Sequence, residues 1–314
     1  MIKSKTRVLV TGGAGFIGSY LVERLAKIGA DVTVIDDFST GRLDNLQGVL
    51  PKIRLILGDL ENLLTSKQVL LDEYEFVFHL AANPYIPPSV ENPAFDFRVN
   101  LHTTFAVLEA LRQIPQPPRL VNVSSAAVYG NPVHLPIKEI DPTIPISPYG
   151  VSKLAGERYV AVYSQIYGIR ANSLRFFSVY GPRQRKQVIF DLFRKLRHNP
   201  EHLEMLGDGS QTRDFIFVLD AVQALLIAAT AAPGQGEVYN VASGTSYSIT
   251  EVVAACCQVC NLVPDVVYTG NIRPGDAEKW VVDVSALRAI GFEPHTTLRA
   301  GLNAIREWYD ANQR

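Results

Sequence analysis

The sequence predicts an α/β fold: a doubly wound parallel sheet with a smaller C-terminal lobe interleaved with it. Three observations carry that expectation. Short apolar runs alternate with amphipathic stretches from the start, the rhythm that right-handed βαβ units produce. A glycine-rich turn, Thr11-Gly12-Gly13-Ala14-Gly15-Phe16-Ile17-Gly18, separates the first apolar run from the first amphipathic stretch. An acidic residue, Asp36, closes the second run, 18 positions after Gly18.

Arg7-Val8-Leu9-Val10 reads as a buried strand, and residues 16–28 have the apolar spacing of a helix. Asp31-Val32-Thr33-Val34-Ile35-Asp36 is a second strand. Ile53-Arg54-Leu55-Ile56-Leu57, Phe76-Val77-Phe78-His79-Leu80 and Arg119-Leu120-Val121-Asn122-Val123 continue the series. A long helix over 95–113 precedes the last of these, and 149–167 is another, followed by a strand over 171–176. Beyond about residue 177 turn signals become denser: Gly181-Pro182, Gly207-Asp208-Gly209, Pro233-Gly234 and Pro274-Gly275. A helix over 218–231 and a strand over 237–241 return to the sheet. The expected division is 1–177 plus about 212–243 for the sheet domain, and about 178–211 plus 244–314 for the lobe.

The 314 residues suffice for a large core. A formal net charge of −1 gives no reason to expect nucleic acid or an anionic membrane as partner. No run approaches the ~18 apolar residues of a membrane span, and no leader precedes the first strand. Cys256, Cys257 and Cys260 share one apolar helical stretch with no second Cys/His cluster. They read as core residues rather than a metal site, so no metal is expected. A cytoplasmic protein is the expectation.

Glycines in a strand-to-helix turn allow a close approach to a pyrophosphate, which the helix N-terminus then faces with its free N–H groups. A carboxylate at Asp36 can accept from both hydroxyls of a ribose and would repel a 2′-phosphate. This favours NAD over NADP; Arg42 nearby keeps NADP as an alternative, with Asp36 expected to dominate. Asp59, in Gly58-Asp59-Leu60, leaves two uses open: reaching an adenine edge or capping the next helix.

The run Ser147-Pro148-Tyr149-Gly150-Val151-Ser152-Lys153 places a proline where a helix can begin. Tyr149 and Lys153, four apart, then share one helix face. A lysine cation beside a phenol favours the phenolate and makes a tyrosine base usable near neutral pH. Taken alone the spacing is common. Ser124-Ser125 follows the fifth strand, at the sheet edge where open sheets place ligands. A serine there holds a turn as readily as a substrate; with the glycine turn and the Tyr/Lys helix in order, the functional reading is preferred.

These motifs resemble the extended short-chain dehydrogenase/reductase superfamily, in its nucleotide-sugar epimerase and dehydratase group. The likeness extends over Asp36-Asp37-Phe38-Ser39-Thr40-Gly41, His79-Leu80-Ala81-Ala82, Ser124-Ser125-Ala126-Ala127-Val128-Tyr129-Gly130 and Tyr149-Gly150-Val151-Ser152-Lys153. It continues through Arg175-Phe176-Phe177-Ser178-Val179-Tyr180-Gly181-Pro182-Arg183, Gly207-Asp208-Gly209-Ser210-Gln211-Thr212-Arg213-Asp214 and Arg273-Pro274-Gly275-Asp276. The resemblance implies a Rossmann-like fold, NAD as cofactor and a nucleotide sugar as substrate.

By that resemblance Tyr149 is the general base and acid, Lys153 its electrostatic partner and ligand of the nicotinamide ribose, and Ser125 the holder of the reacting oxygen. The implied cofactor contacts are Gly12, Gly15, Phe16, Ile17, Gly18, Asp36, Asp37, Phe38, Ser39, Thr40, Gly41, Asp59, Leu60, Leu80, Ala81, Ala82, Asn100, Ser124, Phe176 and Val179, with Tyr149 and Lys153. Ser125, Tyr149, Ser178, Val188, Arg213, Arg273 and Asp276 are the implied substrate contacts. Arg213 and Arg273 would clamp the diphosphate, as guanidinium forks suit phosphate oxygens.

The 4,6-dehydratases carry an Asp-Glu pair where this chain has Ala126-Ala127, and methyl groups cannot shuttle the protons that loss of water requires. Decarboxylases of UDP-glucuronate usually have Glu at the second position. The remaining machinery resembles UDP-glucose/UDP-galactose 4-epimerases, which pass through a transient 4-keto sugar. UDP-glucuronate 4-epimerases are the alternative, because Ser178 replaces the usual Asn and Tyr180-Gly181-Pro182-Arg183-Gln184-Arg185 resembles theirs. A dehydratase or decarboxylase, and a non-catalytic dinucleotide sensor, rank below. Trp280 falls where a bulky residue would crowd an N-acetyl group, which favours plain hexoses. The resemblance also implies a homodimer through the helices at 95–113 and 149–167.

Overall fold

The computed structural model describes residues 2–271 and 279–312. Six strands open the chain: β1 (Arg7–Thr11), β2 (Asp31–Asp36), β3 (Ile53–Leu57), β4 (Phe76–His79), β5 (Arg119–Ser125) and β6 (Ala171–Phe176). They are followed by β7 (Ser178–Tyr180), β8 (His202–Met205), β9 (Thr212–Phe217), β10 (Gln235–Val241), β11 (Ser246–Ser248) and β12 (Asp265–Tyr268). The first six and β10 form one parallel sheet in the order β10-β6-β5-β4-β1-β2-β3. Strands such as Val8-Leu9-Val10 are apolar throughout because both faces are covered.

The helices are α1 (Phe16–Ile28), α2 (Leu60–Thr65), α3 (Ile86–Glu91), α4 (Pro93–Asp96), α5 (Thr103–Arg112), α6 (Pro148–Tyr167), α7 (Gln187–His198), α8 (Val218–Ala231), α9 (Ile249–Cys260), α10 (Ser285–Ala289) and α11 (Leu298–Ala311). Strand alternation divides the core. Val8 and Val10 pack with Leu21 of α1 and Leu225 of α8, whereas Leu9 points the other way, to Leu63 of α2 and Leu108 of α5. The first of these cores continues into the lobe, where β7, β9 and β11 form a three-stranded sheet and β8 pairs with β12.

Two details differ from the sequence reading. The helix expected over 95–113 is interrupted: α4 ends at Asp96, a π-helical turn spans Phe97–His102, and α5 follows. Thr103 and Thr104 each donate a hydroxyl to the carbonyl four residues back, at 2.7 Å, which competes with the α-helical ladder. Strand β9 falls in the stretch expected for the large sheet, yet it pairs with β7 and β11 instead. The Arg183 guanidinium ties the lobe to α1 through Ser19 at 3.0 Å and Glu23 at 2.5 Å.

Candidate active site

Strand order reverses about β1, which lies between β2 and β4. The loops after β1 and β4 therefore border one crevice, where open sheets bind ligands. Gly12 has φ +69°, and a Cβ there would sit 2.7 Å from the Ala81 amide nitrogen and 2.9 Å from the Leu80 carbonyl carbon. A Cβ on Gly18 would run into the Gly12 carbonyl. Only glycine lets these backbones close up. Gly15 caps α1 without a side-chain bond, so the first N–H groups of that helix have no partner of their own. That donor set suits a pyrophosphate.

The loop after β2 folds back onto this turn. Asp36 is buried and accepts from the amides of Ala14 (2.8 Å) and Phe38 (2.9 Å). Burial raises its pKa, and the two N–H groups oppose the rise. Asp37 accepts from the Ser39 amide at 2.8 Å, while Thr40 is exposed. A Cβ on Gly41 would meet an Asp36 carboxylate oxygen at 2.6 Å. The Asn45 side chain, which nothing in the sequence singled out, donates to the Ala14 carbonyl at 2.9 Å and closes the loop.

Several expected cofactor contacts are occupied differently. Asp59 caps α2, accepting from the Asn62 amide at 2.9 Å, so of its two open uses the structure shows the cap. Leu60, Phe176 and Val179 bury their side chains in the core, leaving backbone atoms alone to meet a ligand. Asn100 lies in the π turn and is spent on the protein. Its oxygen accepts from the Asn83 amide (2.8 Å), and its nitrogen donates to the Asn83 carbonyl (3.2 Å) and to Asp96 (2.7 Å). It thereby pins the loop that carries Leu80, Ala81 and Ala82. Asn83 itself keeps a buried side-chain nitrogen without a protein partner.

The reaction centre lies where β5 ends against the start of α6. Ser147 caps α6 by accepting from the Gly150 amide at 3.1 Å, and Pro148 occupies its first turn. A Cβ on Gly150 would stand 2.6 Å from the Ala127 carbonyl, so its absence lets the helix end sit on the turn after β5. Tyr149 is buried, with its amide donating to the Ser89 hydroxyl at 3.2 Å and its phenol beside Ser125, whose hydroxyl favours the phenolate. The Ser125 oxygen also accepts from the Ala127 amide at 3.2 Å. The turn role is thus the one the structure shows for this hydroxyl.

The electrostatics correct one expectation. Burial pushes the Tyr149 phenol up to about 12; the Ser125 bond pulls it down and the Asp96 charge pushes it up. Lys153 does not offset this, because its ammonium is itself buried and donates to the Val123 carbonyl at 3.0 Å. Burial lowers the Lys153 pKa to about 8 against the raising influence of Asp96 and Glu157. Strand alternation turns the Ser124 side chain away from that of Ser125, and its hydroxyl donates to Glu157 at 2.5 Å, leaving its backbone atoms to meet a cofactor. His79, fully buried between Thr11 (2.9 Å) and Thr104 (3.1 Å), is held down to about 3 by burial, so it is neutral.

Sequence reasoning missed Asp96, Ser152 and Glu157. Ser152 donates to Asp96 at 2.6 Å, and Glu157 pairs with Arg175 at 2.8 Å. Glu157 had a signal: it follows Lys153 by four, extending the Tyr149 face by another turn. Asp96 and Ser152 are 56 positions apart and had none.

On the lobe side, Ser178 opens β7 and Val188 lies in the first turn of α7, both half-buried. Arg213 is half-buried in β9 and donates to the Thr212 carbonyl at 2.9 Å. The Trp280 amide donates to that carbonyl at 3.1 Å, and its ring packs edge-on against Phe177, centroids 5.3 Å apart. Arg273 and Asp276 lie outside the described residues. No helix among the described residues is long and apolar enough to cross a membrane.

The model of the NAD dependent epimerase/dehydratase family matches residues 8–242. A UDP-glucose 4-epimerase of Mycolicibacterium smegmatis is 34% identical, with 96% of this chain and 98% of that protein covered. Among solved structures, the UDP-glucose 4-epimerase of Thermotoga maritima with UDP-glucose superposes with a TM-score of 0.90 at 30% identity, covering 98% of this chain and 100% of that one. The UDP-glucuronic acid 4-epimerase of Bacillus cereus, in complex with UDP-glucuronic acid and NAD, gives 0.89 at 30% identity, covering 98% and 99%.

Proposed function

This chain belongs to the NAD dependent epimerase/dehydratase family, and on that premise we propose that it is an NAD-dependent UDP-sugar 4-epimerase that interconverts UDP-glucose and UDP-galactose. The observation that carries the reading is the buried Tyr149 phenol, at the start of α6 where it meets the end of β5 with Ser125, Ala126 and Ala127. The nearby carboxylates are spent: Asp96 on Ser152 and Asn100, Glu157 on Ser124 and Arg175. Tyr149 is therefore the group left to move a proton.

The glycine turn and the start of α1 would hold the pyrophosphate of NAD, Asp36 its adenosine ribose, and Lys153 and Tyr149 its nicotinamide end. The orphaned Asn83 nitrogen and the uncapped N–H groups at the start of α1 fit such a tenant. When bound, NAD supplies a hydride acceptor at carbon 4 of the sugar that later returns the hydride. Tyr149 Oη takes the proton of the 4-hydroxyl as the 4-keto sugar forms, and gives it back after the sugar has turned its other face. Ser125 Oγ orients the same oxygen. The Ser125 hydroxyl, rather than the Lys153 charge, favours the phenolate.

Arg213, together with Arg273, would hold the diphosphate, with Ser178, Val188 and Asp276 against the rest of the substrate. Trp280 favours a plain hexose over an N-acetyl sugar. The second reading, UDP-glucuronate epimerisation, is supported by the likeness to the Bacillus cereus enzyme. The methyl groups of Ala126 and Ala127 weigh against it, since they offer a sugar carboxylate no hydrogen bond. A homodimer in the cytoplasm completes the proposal. Val151, Tyr159, Val162 and Ile166 line an exposed apolar stripe on α6 that supports pairing.

Incubation of the NAD-loaded protein with UDP-galactose, with nucleotide sugars resolved by chromatography and mass spectrometry, tests the reading. UDP-glucose at unchanged mass is expected. A product lighter by water or carbon dioxide, or turnover of UDP-glucuronate alone, would replace it.

A further inference from the structure

Three consecutive residues at the end of β5 are each tied to one face of α6. The Val123 carbonyl receives Lys153 and the Ser124 hydroxyl donates to Glu157, while Ser125 lies near enough to Tyr149 for its hydroxyl to favour the phenolate. Tyr149, Lys153 and Glu157 are spaced four apart, so the face runs along two helical turns. Glu157 cannot drift. Arg175 grips it with Nε at 3.0 Å and Nη2 at 2.8 Å, a bidentate pair in which both side chains are about 2% exposed or less. Arg175 also donates to the Tyr129 hydroxyl (2.7 Å) and to the Glu139 carbonyl (3.0 Å), so three chain segments converge on it.

We propose that Ser124 is a positioning residue: its hydrogen bond to the Arg175-held Glu157 fixes the strand end, and so sets where the Ser125 hydroxyl stands against the Tyr149 phenol. The side chains of Ser124 and Ser125 leave opposite faces of one strand. A slip at the first therefore moves the second through a single peptide unit. Misplacement on the ångström scale costs a reaction on the order of 100-fold. The inference rests on Tyr149 being the proton-transfer group. It does not depend on which sugar is turned over.

The test is the titration of Tyr149 itself. In NAD-loaded protein carrying 3-fluorotyrosine, the fluorine resonance of Tyr149 is the line that Tyr149→Phe removes. The charged and titratable groups around it are Asp96 on α4, Lys153 and Glu157 on α6, and neutral His79 on β4; Ser124→Ala changes none of them. In Ser124→Ala we expect the Tyr149 midpoint to rise by about one pH unit as the Ser125 bond weakens. kcat should fall roughly 10- to 100-fold with KM nearly unchanged, and other tyrosine lines should stay put. Ser124→Thr keeps the hydroxyl and should restore both. Glu157→Asp keeps the charge but withdraws the acceptor, and should repeat the effect. An unmoved Tyr149 midpoint in Ser124→Ala, or a loss shared equally by all tyrosine lines, overturns the proposal. Failure of the wild type to epimerise any UDP-sugar would sink the functional reading alone, because the midpoint is read without turnover.

Discussion

The Lys153 ammonium donates to the backbone carbonyl of Val123 at 3.0 Å, two residues before Ser125, whose hydroxyl favours the Tyr149 phenolate. The cation is thus fixed by the same strand end that fixes its partner, and both are buried. Neither group is poised by its sequence spacing alone.

Tyr149→Phe removes the proton carrier and keeps the ring. kcat should fall by about 10²- to 10⁴-fold, the span of general acid–base catalysis, in an assay of UDP-galactose conversion. Cofactor released by denaturing the variant should equal that of the wild type. Loss of NAD would show Tyr149 to be a cofactor anchor first.

Lys153 titrates near 8 because burial opposes its charge. It is charged below that pH and loses its proton as pH rises through it. Since the ammonium is the proposed ligand of the nicotinamide ribose, kcat should decline above about pH 8. A pH–rate profile that stays flat to pH 10 contradicts this role.

His79 is neutral and pushed down to about 3, from an unfolded value of 6.5. A depressed pKa contributes stability that is fully present above 6.5 and is lost as pH falls through about 3. Denaturant unfolding at successive pH values should show that slope. His79→Gln should flatten it; an unchanged slope would place the acid sensitivity elsewhere.

Asp36→Ala leaves the buried amides of Ala14 and Phe38 without their acceptor. About 1–3 kcal/mol of stability should be lost per unsatisfied group, together with most NAD affinity. Calorimetric titration with NAD and thermal melting measure the two. Undiminished NAD affinity would remove Asp36 from the cofactor site.

Ile166→Asp places a charge on the exposed apolar stripe of α6, where Ile166 is 67% exposed. Light scattering after gel filtration should show dimers in the wild type and monomers in the variant, with the far-UV spectrum unchanged. A wild type that runs as a monomer dismisses the stripe as an interface.

Much of this was legible beforehand, for identifiable reasons. The strands of the large sheet are continuous apolar runs, as strands covered on both faces must be. Glycine at 12 and 18 is a local signature of backbones in contact. Legibility failed where a residue's use depends on a distant segment. Asn100, expected near the cofactor or the water around it, is bonded to the Asn83 backbone 17 residues away, a partner its place in the chain does not announce. Ser124 and Ser125 read alike as a pair, yet the pleat sends one to Glu157 and the other to Tyr149.

The sequence by itself determined the doubly wound sheet, the glycine turn, Asp36 at the end of β2 and the Tyr149–Lys153 helix face. Each is set by local periodicity or by backbone sterics within a few residues. Only the tertiary structure decided the protonation chemistry, because burial depends on every element packed around a site. It raises the Tyr149 phenol, lowers Lys153 and silences His79. It also joins β5, α6, β6 and the segment around Glu139 through one buried arginine, a convergence that no spacing along the chain records.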